Sequence, residues 1–121
     1  MLYICQISNL NTSKLQNISK MFEGCSSLTS LDIGNFNTNQ VKDMNKMCEN
    51  CNLSAFVITN FDTSNIIYMT DMFAEMNVLL TLDVSNFNTG NVKDMSGMFY
   101  GCNRIKGIKI SNFDTKNVED F

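Results

Sequence analysis

Apolar residues along this chain fall into columns with a fixed period. Asn9, Asn35, Asn60, Asn86 and Asn112 stand 26, 25, 26 and 26 residues apart, and Thr12, Thr38, Thr63, Thr89 and Thr115 keep the same steps. The unit reads L-x-x-L-x-I-x-N-F-[ND]-T-x-x-V-x-x-M-x-x-M-F-x-x-C-x-x. Its apolar columns are Leu2/Leu28/Leu53/Leu79/Ile105, Cys5/Leu31/Phe56/Leu82/Ile108 and Ile7/Ile33/Ile58/Val84/Ile110, followed by the Leu10/Phe36/Phe61/Phe87/Phe113 column. A period of this length is the signature of stacked repeats, each one supersecondary unit unable to bury its own apolar face. The predicted organisation is a single repeat domain over 1–121, with units of approximately 2–27, 28–52, 53–78 and 79–104 and a partial unit over 105–121.

Within a unit the period changes. Leu31-Asp32-Ile33-Gly34 alternates apolar and small polar residues, which predicts a short half-buried strand. Val41, Met44, Met47, Cys48 and Cys51 instead follow the three-to-four-residue spacing of one helical face, opposite Lys42, Asp43, Asn45, Lys46 and Glu49. Asn91 and Asn117, each with an acid three residues on, read as helix N-caps. Gly24, Asn50 and Gly101 share a column where a left-handed residue would end the helix, with Glu75 as the misfit. The expected fold class is α/β: a leucine-rich-repeat-like solenoid of strand-turn-helix units, with a parallel sheet on one face and short helices on the other. The Phe36/Phe61/Phe87/Phe113 column predicts a buried aromatic spine. The Asn and Thr columns predict hydrogen-bond ladders that satisfy turn backbone groups.

Composition narrows the chemistry. The 121 residues contain no His, Pro or Trp and carry a net charge of −3. Without His, the Ser-His and Cys-His nucleophile pairs and every His-containing zinc site are excluded. Nine basic residues against twelve acidic ones do not build a nucleic-acid footprint. No run approaches the ~18 apolar residues of a membrane helix, so membrane insertion is not expected. The segment Met1 to Asn11 lacks the basic and long apolar stretches of a signal peptide.

The segments LDIGNFNTNQVKDMNKM and LDVSNFNTGNVKDMSGMFYGC resemble the repeat of BspA-like leucine-rich repeat proteins, a bacterial surface protein repeat of 26 residues also catalogued as a domain of unknown function. The resemblance covers essentially the whole chain, with N-F-[ND]-T-x-x-V-x-D-M-x-x-M-F at its centre. It implies a secreted or anchored surface protein engaged in adhesion, with no catalytic residue and no cofactor. A cytoplasmic location is the expectation if the chain is complete as given.

Three candidate features carry chemistry. Cys48 and Cys51 form a C-x-x-C, a spacing used in redox and metal sites, but both fall on core columns, so the expectation is buried thiols. Cys25 and Cys51, one repeat apart, are the best-placed disulfide pair, disfavoured by the 8–10 Å or so between packed helices. The Met44/Met69/Met95 and Met47/Met72/Met98 columns read as core filling. No metal ligands or catalytic residues are assigned. The candidate binding face is the outward side of the strands, Gln6, Asp32, Val57, Asp83 and Lys109 with Thr59, Ser85 and Ser111, on which a protein or glycan ligand would sit. The expected function is a non-enzymatic interaction or adhesion module. The competing expectation is an intracellular structural or regulatory repeat protein whose uncapped ends assemble with copies of itself or with a partner, because no polar capping repeat is found.

Overall fold

The computed structural model describes residues 4–6, 11–59 and 61–120, with only the backbone described for 4–6. Five strands of three residues follow one another, one per repeat: β1 (Ile4–Gln6), β2 (Ser30–Asp32), β3 (Ala55–Val57), β4 (Thr81–Asp83) and β5 (Gly107–Lys109). All pairings are parallel, in a three-stranded sheet β1-β2-β3 and a two-stranded sheet β4-β5. The register is that of the sequence columns, with Cys5 opposite Leu31 and Leu31 opposite Phe56, then Leu82 opposite Ile108. Each repeat is therefore one rung of a stack. Strand pairing is interrupted between β3 and β4, where Phe56-Val57 replaces the Leu-Asp pair of the second and fourth rungs. Elsewhere the third and fourth rungs stay joined, through the bridge Tyr68 to Asp94 and the bonds Asp71 N to Ser96 O at 2.9 Å and Phe73 N to Met98 O at 3.0 Å.

The expected helices are not there. Among the described residues no α-helix forms, which overturns the α/β solenoid of strand-turn-helix units. The reason lies in where alternate backbone donors go. In the first rung, Met21, Glu23 and Cys25 donate to the carbonyls three residues back, while Lys20, Phe22 and Gly24 donate to Asn45, Met47 and Glu49 of the next rung at 2.9 Å each. An α-helix would direct every one of these donors to the residue four back and leave none for the stack. Successive turns therefore replace the helix. Two positions in each rung are left-handed, Lys20, Lys46, Asp71 and Gly97 in one column and Gly24, Asn50, Glu75 and Gly101 in the next, and Lys20 and Gly24 stand third in the turns closed by Met21 and Cys25. Positive φ at the third turn position is the type II requirement. Gly24, Asn50 and Gly101 are left-handed as expected, and the misfit Glu75 adopts the same conformation, but the column closes a turn instead of capping a helix. Asn91 and Asn117 cap nothing either; their amides donate to Ser64 O at 2.7 Å and Gly90 O at 2.6 Å on the preceding rung.

The burial inferred from the helical spacing nevertheless holds. Val41, Met44, Met47, Cys48 and Cys51 are fully buried. So are Met69 and Met72, with Met95 and Met98 close behind, whereas Met21 of the first rung is 39% exposed. Three-residue turns return side chains to the interior at nearly the helical interval, so periodicity alone does not separate the two. The aromatic spine forms in part, as two stacked pairs: Phe36 over Phe61 at 6.3 Å and Phe87 over the half-buried Phe113 at 6.5 Å between ring centroids, with no stacking between Phe61 and Phe87. Phe73 ties it to a second aromatic group through Phe87, Phe56 and Phe99.

The Thr ladder also forms. Among the described residues, the buried polar side chains are Thr12, Thr38, Thr63 and Thr89. Thr63 Oγ1 donates to Asn88 O at 3.1 Å and accepts from Asn88 N at 2.7 Å, and Thr38 and Thr89 make the same double contact with the next rung. Each hydroxyl thus satisfies one turn donor and one acceptor. In the fifth rung, Ile105, Ile108, Phe113 and Val118 are half-buried, whereas their counterparts Leu79, Leu82, Phe87 and Val92 are buried between neighbours. Positions assigned to Leu2, Ile7, Asn9, Leu10, Asn60 and Phe121 lie outside the described residues.

Candidate binding face

Strand alternation positions the candidate face. Leu31, Phe56, Leu82 and Ile108 point into the core, so the residues on either side of each point out. One outward row is Ser30, Ala55, Thr81 and Gly107; the other is Asp32, Val57, Asp83 and Lys109. Asp32, Val57, Asp83, Lys109, Ser85 and Ser111 are exposed as expected, while Thr59 is half-buried. Of Gln6 only the backbone is described, in register with Asp32. The register places Asp32 beside Val57 and Asp83 beside Lys109, but the break between β3 and β4 divides these into two patches.

The two aspartates are partly committed to their own turns. Asp32 Oδ1 accepts from Gly34 N at 3.0 Å. Asp83 Oδ1 accepts from Ser85 Oγ at 2.6 Å and Ser85 N at 3.0 Å, and these bonds, with the Lys109 charge alongside, hold its carboxyl below the ordinary carboxylate range. The same two-residue Asx turn recurs at Asp62, Asp94 and Asp114 and lowers each carboxyl through the donors it accepts. Charge is graded along the face, from Asp32 and Asp83 to Arg104, Lys106 and Lys109.

The structure displays several exposed apolar residues, of which the sequence columns placed only Val57 on the candidate face. Val57 (43% exposed) stands where other rungs have Gln, Asp or Lys, and Leu80 (44%) where they have Thr29, Ser54 and Lys106. They bracket the break, one ending β3 and the other preceding β4. Tyr68 and Tyr100 are exposed in columns otherwise occupied by Asn or Asp and by Glu or Ala. The signal was available: an apolar residue breaking a polar column marks a surface that the repeat alone does not require.

The C-x-x-C is a packing feature. Cys48 and Cys51 are fully buried, and Cys51 Sγ donates to Phe22 O at 2.8 Å. Burial pushes the Cys48 thiol well up, and burial also raises Cys102, whose Sγ donates to Phe73 O at 3.0 Å. Cys48, Cys51 and Cys102 keep their thiols, so the Cys25–Cys51 pair is not bridged; the Cys5 side chain lies outside the described residues. Among the described residues no group of three His, Cys, Asp or Glu is disposed to hold a metal ion, and no helix is long and apolar enough to cross a membrane.

No curated protein and no solved structure matches the chain. One family model does, described as "Mycoplasma protein of unknown function, DUF285", over two overlapping stretches, residues 2–75 and 43–121. Two overlapping matches are what a tandem repeat produces when one model fits it in more than one register. Together they run from residue 2 to the last residue, and the chain belongs to this family of Mycoplasma proteins of unknown function.

Proposed function

We propose that this protein is a non-enzymatic binding module that engages a protein or glycan ligand through its strand face. The observation that carries the reading is the exposure of Val57 and Leu80 in columns that other rungs keep polar, on either side of the one break in the strand ladder. Rungs stack equally well with Asp, Ser or Thr at these positions, so stacking does not account for the apolar residues. The N-F-[ND]-T-x-x-V-x-D-M motif shared with BspA-like surface repeats supports an adhesive role at the cell surface. The graded charge from Asp32 to Lys109 would orient a partner along the stack.

The test is solid-phase binding of the purified chain to a panel of immobilised matrix proteins and glycans, repeated with Val57→Asp, Leu80→Asp and the off-face control Glu23→Ala. Each apolar loss should weaken binding by about tenfold, the equivalent of ~1.4 kcal/mol, and the control should be neutral. Absence of binding across the panel, or binding indifferent to both strand-face variants, would overturn the proposal.

A further inference from the structure

A second surface, away from the strands, has the makings of a ligand site. Where the Thr turn of each rung leads into the bridged segment, Gln16, Asn39, Gln40, Lys42 and Asn65 line a depression of about 340 Å³ across the first three rungs. That volume is at the lower end for small-ligand sites and would take about one or two sugar rings. Its floor is held by rung-to-rung bonds, Lys42 N to Gln16 O and Ile67 N to Lys42 O, both at 2.9 Å. The Asn65 amide is fixed by donation from Nδ2 to Asn39 O at 2.6 Å, which leaves its Oδ1 as an oriented acceptor. Asn91 and Asn117 repeat this on the next two rungs and extend a row of amide oxygens along the stack, at about the 4.8 Å spacing of paired strands.

The lining chemistry is selective. Four of the five side chains are amides, which offer both donors and acceptors, and none is apolar. An apolar side chain of a peptide would meet no apolar residue there, whereas vicinal hydroxyls, each donor and acceptor at once, match an amide array. The fifth side chain is Lys42. Among the described residues the ion pairs involve only Lys46 and Lys116, so Lys42, with Lys14 and Lys93 on the same edge, meets no acidic partner. We propose that this depression binds a saccharide bearing a carboxylate, with the amides taking the hydroxyls and the Lys42 ammonium taking the carboxylate. The site is independent of the strand-face reading.

The experiment is an amide ¹H–¹⁵N NMR titration of the full chain with a hyaluronan oligosaccharide, alongside a neutral chitin oligosaccharide of equal length and an oligodeoxythymidine. Saturable shifts confined to residues around 16, 39–42 and 65 are expected with hyaluronan, with weaker binding of the neutral sugar. Gln40→Ala and Lys42→Gln, both at exposed positions, should each weaken hyaluronan by about five- to tenfold, the loss of one hydrogen-bonding group. Their unperturbed spectra elsewhere report an intact fold, and Val57→Asp should leave the titration unchanged. No saturable shift with hyaluronan, or affinity indifferent to Gln40→Ala, overturns the proposal. Oligodeoxythymidine binding as tightly as hyaluronan also overturns it, since that would reveal only a basic edge.

Discussion

Replacing Thr63 by Val isolates the contribution of the Thr ladder, because the substitution keeps the shape and removes only the hydroxyl. Thr63 is 1% exposed, and its Oγ1 serves both Asn88 O at 3.1 Å and Asn88 N at 2.7 Å. The variant leaves a turn donor and a turn acceptor with no partner, at about 1–3 kcal/mol each where water is excluded. Asn88 itself is exposed, so water recovers part of that cost. The added methyl returns up to ~0.8 kcal/mol. The balance is a destabilisation of about 2–3 kcal/mol, or roughly 10 °C in Tm for a chain of this size. Urea unfolding followed by far-UV circular dichroism and by tyrosine fluorescence reads it, and coincident curves establish that a single transition is being compared. Thr63→Ser, which keeps the hydroxyl, should lose only about 1 kcal/mol. Thr115→Val, at an exposed position of the last rung, should stay within about 0.5 kcal/mol of the parent. A Thr63→Val protein within about 0.5 kcal/mol of the parent would refute the argument that these hydroxyls hold the rungs together.

Other outcomes follow from the same geometry. Glu75 is held at φ 59 in a column that has glycine on two other rungs, so Glu75→Gly should raise stability by about 0.5–1 kcal/mol in thermal unfolding. Gly101→Ala should cost about 1–2 kcal/mol, since its φ is +72 and a Cβ would lie 2.6 Å from the Glu75 carboxylate; in the Glu75→Gly background only the backbone strain should remain. Thiol titration of the native chain should leave Cys48 and Cys51 unreactive until denaturant is added, and fast native reaction at either would contradict their burial. Asp62, Asp83, Asp94 and Asp114 have carboxyls lowered by the donors they accept, so the folded state binds protons less readily than the unfolded chain. Stability should therefore be constant above about pH 5 and fall as pH drops through the ordinary carboxylate range, and a melting temperature unchanged down to about pH 3 would count against these turns.

Much of the candidate face could be read from the sequence, since strand alternation alone predicts that Asp32, Val57, Asp83 and Lys109 point outward. Which of them are unoccupied could not be read there. Asp83 looks like a free carboxylate in sequence, yet Ser85 occupies one of its oxygens. The break between β3 and β4, which divides the face in two, had no sequence mark beyond the Phe56-Val57 pair. The amide-lined depression was equally hidden. Gln16, Gln40 and Asn65 come together only because rungs stack in register, and in sequence each looks like an ordinary turn residue.

The sequence by itself determined the repeat length, the rung register and the buried columns, because a period of about 26 residues leaves each apolar column one way to align with its neighbours. It did not determine the secondary structure between strands. Val41, Met44, Met47 and Cys51 face the core in a helix or in successive turns, and the interval of three to four residues fits either. The stack decided between them. Each rung must give about half the backbone donors of this segment to the next one, as Lys20, Phe22 and Gly24 do, and a helix would have kept them all within itself.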